Sequence, residues 1–159
     1  MPRSDFAFHH SFRVRFSETD AQGIVFNARY LDYADIAITE YWRATCFRDV
    51  AGDAPLDFNI KKATVIWSAP IKPDEMIEVR ARTNAVGRTS MTQTVEIHGH
   101  HDDGRDDLRA VVELVSVHVD LATHRPIPVP DWIAPHFAKF DAALPQSGPQ
   151  SESQSGEPK

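Results

Sequence analysis

The 159-residue chain has a single cysteine, which excludes an internal disulfide framework and any zinc site built on two or more thiolates. It has no excess of positive charge: 17 Lys and Arg against 23 Asp and Glu give a formal charge of −6. That balance argues against a nucleic-acid or anionic-membrane partner, since both need a basic surface to neutralise phosphates. No window approaches the ~20 consecutive apolar residues of a membrane span. The opening MPRSDFAFHH lacks an apolar core of signal-peptide length. With one thiol and no export signal, the expected compartment is the cytoplasm. The HExxH, GxSxG, P-loop and GxGxxG patterns are all missing, which disfavours those routes to metal, serine or nucleotide chemistry. What remains is a 42% hydrophobic, 25% charged chain, ordinary for one globular domain.

The domain is expected to span residues 1–144. From Pro145 to Lys159 the sequence PQSGPQSESQSGEPK offers no large apolar side chain, and a disordered polar tail is expected there. Phe12, Val14 and Phe16 alternate with Arg13, Arg15 and Ser17, the period of a half-buried strand. Asn27 to about Cys46 reads as a helix apolar over most of its surface, hence nearly enclosed by other elements, with Cys46 packed in the core. Four strands are expected next, around Lys61–Trp67, Ile77–Ala85, Met91–His98 and Val111–Val119. The last is dense enough in Val and Leu to be central and buried on both faces. Asp131 is placed to cap a short final helix through Phe140. Short connections favour antiparallel pairing, so the fold class is α+β, a curled antiparallel sheet of about five strands around one long central helix.

The stretch from Asp20 to Tyr30 is the most informative. A carboxylate lies just ahead of a long apolar helix, and Gly23 allows a turn between them. The first helix amides lack intrahelical partners and carry the positive end of the dipole. Amides near Phe26, Asn27 and Ala28 can polarise a carbonyl oxygen, while a facing carboxylate attacks the carbon or activates water. Asp is also favoured at helix starts, so a plain cap is the competing reading. His98, His100 and His101 cluster near a strand end without a recognised ligand spacing and read as a solvated loop, with no metal expected. His118 reads as a hydrogen-bonded core residue.

The run RFSETDAQGIVFNARYLDYAD resembles the signature of hotdog-fold acyl-CoA thioesterases of the 4-hydroxybenzoyl-CoA thioesterase type. The matching positions are Asp20, Gly23, Val25, Phe26 and Tyr30. Ala69-Pro70-Ile71 with Asp74-Glu75, and Gly87-Arg88-Thr89-Ser90, resemble later segments of the same family, so the resemblance covers about Phe12 to Pro130. It implies hydrolysis of an acyl-CoA thioester to acid and CoA without a cofactor. It implies Asp20 as nucleophile or general base, and the Asn27 backbone N–H as donor to the thioester oxygen. It implies a homodimer or dimer of dimers with the site at the subunit interface. Gly23, Val25, Phe26, Tyr30 and Trp67 would shape the acyl site, with Phe58 a further candidate, and Arg88, Arg82, Lys61 or Lys62 would meet CoA phosphates. A non-hydrolytic acyl-CoA or acyl-carrier binding module and a hotdog dehydratase are the alternatives, the latter needing a His base.

Overall fold

The computed structural model describes residues 1–143, so the tail expected from Pro145 lies outside the described residues. The strands are β1 (Phe8–Arg13), β2 (Phe58–Trp67), β3 (Met76–Val86), β4 (Ser90–Gly99), β5 (Leu108–Asp120) and a two-residue β6 (Arg125–Pro126). The helices are α1 (Arg29–Ala44), α2 (Phe47–Ala51) and α3 (Ile133–Asp141). Five strands form one antiparallel sheet in the order β1-β3-β4-β5-β2, and β6 adds to β5. Strands β1 and β2 are therefore opposite edges, and the chain between them must cross a whole face of the sheet. Helix α1 makes that crossing. This is the expected α+β hotdog architecture, a curled sheet around one long helix.

The contact surface of α1 is a single stripe. Tyr30, Tyr33, Ala34, Ala37 and Tyr41 are buried at spacings of three and four. The two alanines let the axis approach the sheet, and the tyrosine rings fill the space on either side. The expected near-enclosure does not hold within one chain: Leu31 is 42% exposed and Asp35 is open. The helix also ends earlier than expected. Cys46 adopts the left-handed conformation, φ 56°, and this turn leaves it exposed instead of in the core.

Other expectations shift for local reasons. The first strand lies earlier than Phe12–Ser17, because its period-two face begins at Phe8. The chain leaves the sheet after Val14, where the Glu18 carboxylate accepts the Arg15 amide and closes a 3₁₀ turn over Phe16–Glu18. Phe16 is 72% exposed in consequence. Strand β5 alternates between buried and half-buried residues instead of being covered on both faces, and β4 holds the middle of the sheet. Asp131 is exposed and makes no cap bond, since α3 starts from Trp132. His98 is 1% exposed and not in a solvated loop. The Asp107 amide donates to its Nδ1 at 3.1 Å, so the ring proton sits on Nε2 and reaches Glu96 Oε2 at 2.9 Å. His118 is a core residue as expected, its ring against Phe58 and its Nδ1 2.9 Å from the Pro128 carbonyl.

Candidate active site

Between the Phe16–Glu18 3₁₀ turn and α1 the chain makes a tight excursion whose two legs are tied together. Thr19 and Val25 form an antiparallel bridge. The Asp20 amide donates to the Ile24 carbonyl at 2.9 Å, and the Gly23 amide to the Asp20 carbonyl at 3.0 Å. Gly23 sits at φ +72° with open space where a Cβ would stand, so the left-handed backbone and not crowding calls for glycine. Asp20 closes a side-chain turn of its own, its Oδ1 accepting the Gln22 amide at 2.8 Å. Its Oδ2 accepts no hydrogen bond among the described residues. Asp20 therefore does not cap α1. One oxygen fixes the carboxylate and leaves the other available.

The approach to the helix start, four residues past the bridge, is equally bare. The Phe26 amide donates to the Glu18 carbonyl at 3.0 Å, and the Arg29 amide turns back to Phe26 at 2.9 Å. The amides of Asn27 and Ala28 have no partner among the described residues. Ala28, the residue before the helix, has no side chain able to cap. The positive end of α1 is thus presented beside the Asp20 loop with free donors.

Three supports hold this arrangement, none of them expected from the sequence as functional. Glu18 joins the 3₁₀ turn to the helix: its Oε2 accepts the Arg15 amide at 2.8 Å and the Tyr33 hydroxyl at 2.9 Å. Burial, reinforced by the Glu18 carboxylate, pushes the Tyr33 phenol far up, so it remains a neutral donor. Arg109 anchors the 68–75 loop, donating to the Pro70 carbonyl at 2.7 Å and pairing with Glu75 at 2.6 Å and Asp107 at 2.8 Å. The Arg109 guanidinium holds the Asp107 carboxyl well below the usual range. That loop then receives the Val25 amide on the Ile71 carbonyl at 2.9 Å. Two signals were readable: a glutamate at the third position of a capping box, and a second tyrosine three residues along the buried stripe whose hydroxyl needs an acceptor.

The expected substrate residues divide. Phe26 is 50% exposed at the helix tip, and Trp67, also 50% exposed, sets its ring 6.1 Å from that of Tyr30. Val25 is 1% exposed and Tyr30 is 2% exposed, so both serve the core under the site. Phe58 lies at the far end of β2, 5.8 Å from Trp42. Arg88 is not brought to Asp20 within one chain. It is exposed in the β3–β4 turn, at the opposite end of the sheet from Met76, Trp67 and the Asp20 loop. Lys61, Lys62 and Arg82 are likewise away from the helix tip, with Lys61 in a β-bulge.

Comparison with known proteins gives the family and the fold. The thioesterase-like superfamily matches residues 14–137. The acyl-CoA thioester hydrolase YbgC of Escherichia coli is 30% identical over 131 residues, which is 82% of this chain and 95% of that relative. The crystal structure of a 1,4-dihydroxy-2-naphthoyl-CoA thioesterase from Synechocystis superposes with a TM-score of 0.72 at 15% identity, covering 86% of this chain and 98% of that one. A 4-hydroxybenzoyl-CoA thioesterase mutant in complex with 4-hydroxybenzoyl-CoA gives 0.71 at 17% identity, covering 82% and 97%. At those identities the two structures speak for the fold alone. The chain belongs to the thioesterase-like superfamily and is a hotdog thioesterase by fold and family.

Proposed function

We propose that the protein hydrolyses an acyl-CoA thioester to the free acid and CoA. The observation that carries the reading is the free Oδ2 of Asp20 beside a helix tip whose Asn27 and Ala28 amides are unpartnered. A thioester carbonyl lying between them has its oxygen polarised by the Asn27 N–H as charge develops on it. Asp20 then acts at the carbon in one of two ways. As nucleophile it forms an acyl anhydride, CoA leaves as thiolate and takes a proton, and water cleaves the anhydride. As general base it takes a proton from the attacking water, and the thiolate leaves from the tetrahedral intermediate. Both need the same carboxylate, held by the Gln22 amide.

The active assembly is a two-fold dimer joined through β2. This strand is a free edge among the described residues, and Ile60, Ile66 and Trp67 are 57%, 62% and 50% exposed along it. A free ten-residue edge carrying these exposed apolar side chains, with its two charges confined to Lys61 and Lys62, favours pairing with a second copy. Antiparallel pairing of two β2 edges sets the Phe58 end of one against the Trp67 end of the other. It thereby carries the β3–β4 turn of the second copy, with its arginine, toward the Asp20 end. The Arg88 position, remote within one chain, then becomes available for CoA phosphates.

The test is a panel of acyl-CoA thioesters with detection of released thiol. Turnover of panel members supports the reading. Tight binding with no thiol release from any of them rejects hydrolysis in favour of a binding module.

A further inference from the structure

The 68–75 loop holds both ends of the stretch that carries Asp20. The Val14 amide donates to the Glu75 carbonyl at 2.9 Å, and the Val25 amide to the Ile71 carbonyl at 2.9 Å. Both valines and Ile71 are buried. Asp20 lies between these two ties, and Asn27 lies just past the second. One residue, Arg109 at the start of β5, fixes the loop along its length. Its carbonyl accepts the Ser68 and Ala69 amides at 2.8 and 3.2 Å. Its guanidinium donates to the Pro70 carbonyl at 2.7 Å and to the two Glu75 oxygens at 2.6 and 3.2 Å. Glu75 in turn accepts the Lys72 amide at 2.9 Å. Asp107 takes the remaining donors, Nε at 3.1 Å and Nη2 at 2.8 Å, so every N–H of the guanidinium is engaged.

Gly99 seats this arrangement. A Cβ there would overlap the Asp107 carboxylate and come within 2.7 Å of the Arg109 guanidinium. The pair thus lies flat against the end of β4, where any side chain would lift it. Asp107 is braced further by the Gly99 amide on its carbonyl at 2.9 Å, by its own amide on His98 Nδ1 at 3.1 Å, and by His101 Nε2 2.9 Å from Oδ2. Resting on the acyl-CoA reading above, we infer that Arg109 is a positioning residue for thioester cleavage, setting the separation between the Asp20 carboxylate and the Asn27 amide through the two ties at Val14 and Val25. It hydrogen-bonds to neither group and acts through the loop. Its effect belongs to kcat, because a displaced carboxylate or amide weakens the transition state more than the bound ground state. Lysine cannot stand in for it. An ammonium offers its donors from one point and cannot span Asp107, Glu75 and Pro70 together.

The experiment compares Arg109→Lys and Gly99→Ala with the wild type, in thiol release from the acyl-CoA panel and in amide hydrogen exchange followed residue by residue. Support is a kcat lowered by about tenfold or more with KM changed by less than about threefold. It comes with exchange at Val14 and Val25 faster by about tenfold or more while Val79 and Val95 in the sheet keep their protection. A folded Arg109→Lys protein with the wild-type kcat overturns the inference, whatever its exchange. A loss confined to KM overturns it too. So does faster exchange spread evenly through the sheet, with activity falling only in step with unfolded protein, because Arg109 then serves stability alone. Where Arg109→Lys fails to fold, Gly99→Ala decides by the same criteria, since it displaces the pair and leaves every charge in place. The two readings fail separately. A wild type that releases no thiol from any panel member rejects hydrolysis, and the exchange at Val14 and Val25 still judges the placement: local loosening retains it, unchanged protection rejects it.

Discussion

Replacing Tyr33 by Phe removes one hydroxyl and leaves the ring packing intact. That hydroxyl is on a fully buried residue and donates to Glu18 Oε2 at 2.9 Å. Hydrogen bonds to charged groups contribute about 1.5–3 kcal/mol, and an unmade one costs more when its partner cannot reach water. Glu18 is half-buried and keeps the Arg15 amide at 2.8 Å, so solvent and that second donor offset part of the loss. The expected destabilisation is about 1–2 kcal/mol, measured by urea denaturation followed by circular dichroism. The effect on function should be distinct, because the bond ties α1 to the turn that launches the Asp20 loop. A loosened loop misplaces the carboxylate, so kcat is expected to drop about tenfold with a smaller change in KM. Glu18→Gln retains the shape and weakens the same bond. In a double-mutant cycle the pair should couple by about 1 kcal/mol. Strict additivity of the two substitutions, or a Tyr33→Phe protein with unchanged stability and kcat, would refute the clamp.

Gly23→Ala places a Cβ at φ +72° where there is room but the backbone is disfavoured, and it should cost about 1–2 kcal/mol of stability together with activity. Glu78 is buried on the outer face of the sheet. Burial pushes its carboxyl up, but hydrogen bonds from Arg3 and Arg80 outweigh that and leave it below the ordinary range. A lowered folded-state value means stability that is present above the ordinary glutamate pKa of about 4.3 and is lost as the pH falls through the lowered value. Glu78→Gln should flatten this acid limb in a pH series of melts. It should also cost about 3 kcal/mol near neutrality, because Arg80 is 1% exposed and loses a partner. Ile66→Lys puts a charge on the free β2 edge and should shift the molecular mass measured by light scattering toward the monomer, with loss of thiol release.

The strands were legible wherever burial alternated, as in Ile77–Ala85 and Met91–His98, because a period of two is a local property of the chain. The helix was legible from Asn27 onward, and Asp20 and Gly23 stood out through a carboxylate and a flexible residue ahead of it. What was hidden depends on long-range contacts. Phe16 continues an alternating pattern, yet Glu18 captures the Arg15 amide and turns the chain out of the sheet. His98 was read at the end of a strand, but its burial was hidden, because the 99–107 loop that folds back to give it the Asp107 amide is polar and without period. Arg88 carried the right charge but sits at the opposite end of its own sheet from the Asp20 loop, a placement set by strand register that the sequence does not report. Glu18 and Tyr33 each carried a local signal, but the Glu18–Tyr33 and Arg109–Pro70 hydrogen bonds join positions 15 and 39 residues apart, and no spacing rule pairs them.

The central claim is that one carboxylate, held by a backbone amide beside an open helix tip, performs the chemistry. Asp20→Asn tests it most directly, since the amide keeps the turn to Gln22 and removes only the charge. With folding checked by circular dichroism, the expected result is a loss of at least about 100-fold in kcat across every thioester the wild type cleaves. A variant that binds substrate and turns it over at the wild-type rate would contradict the account.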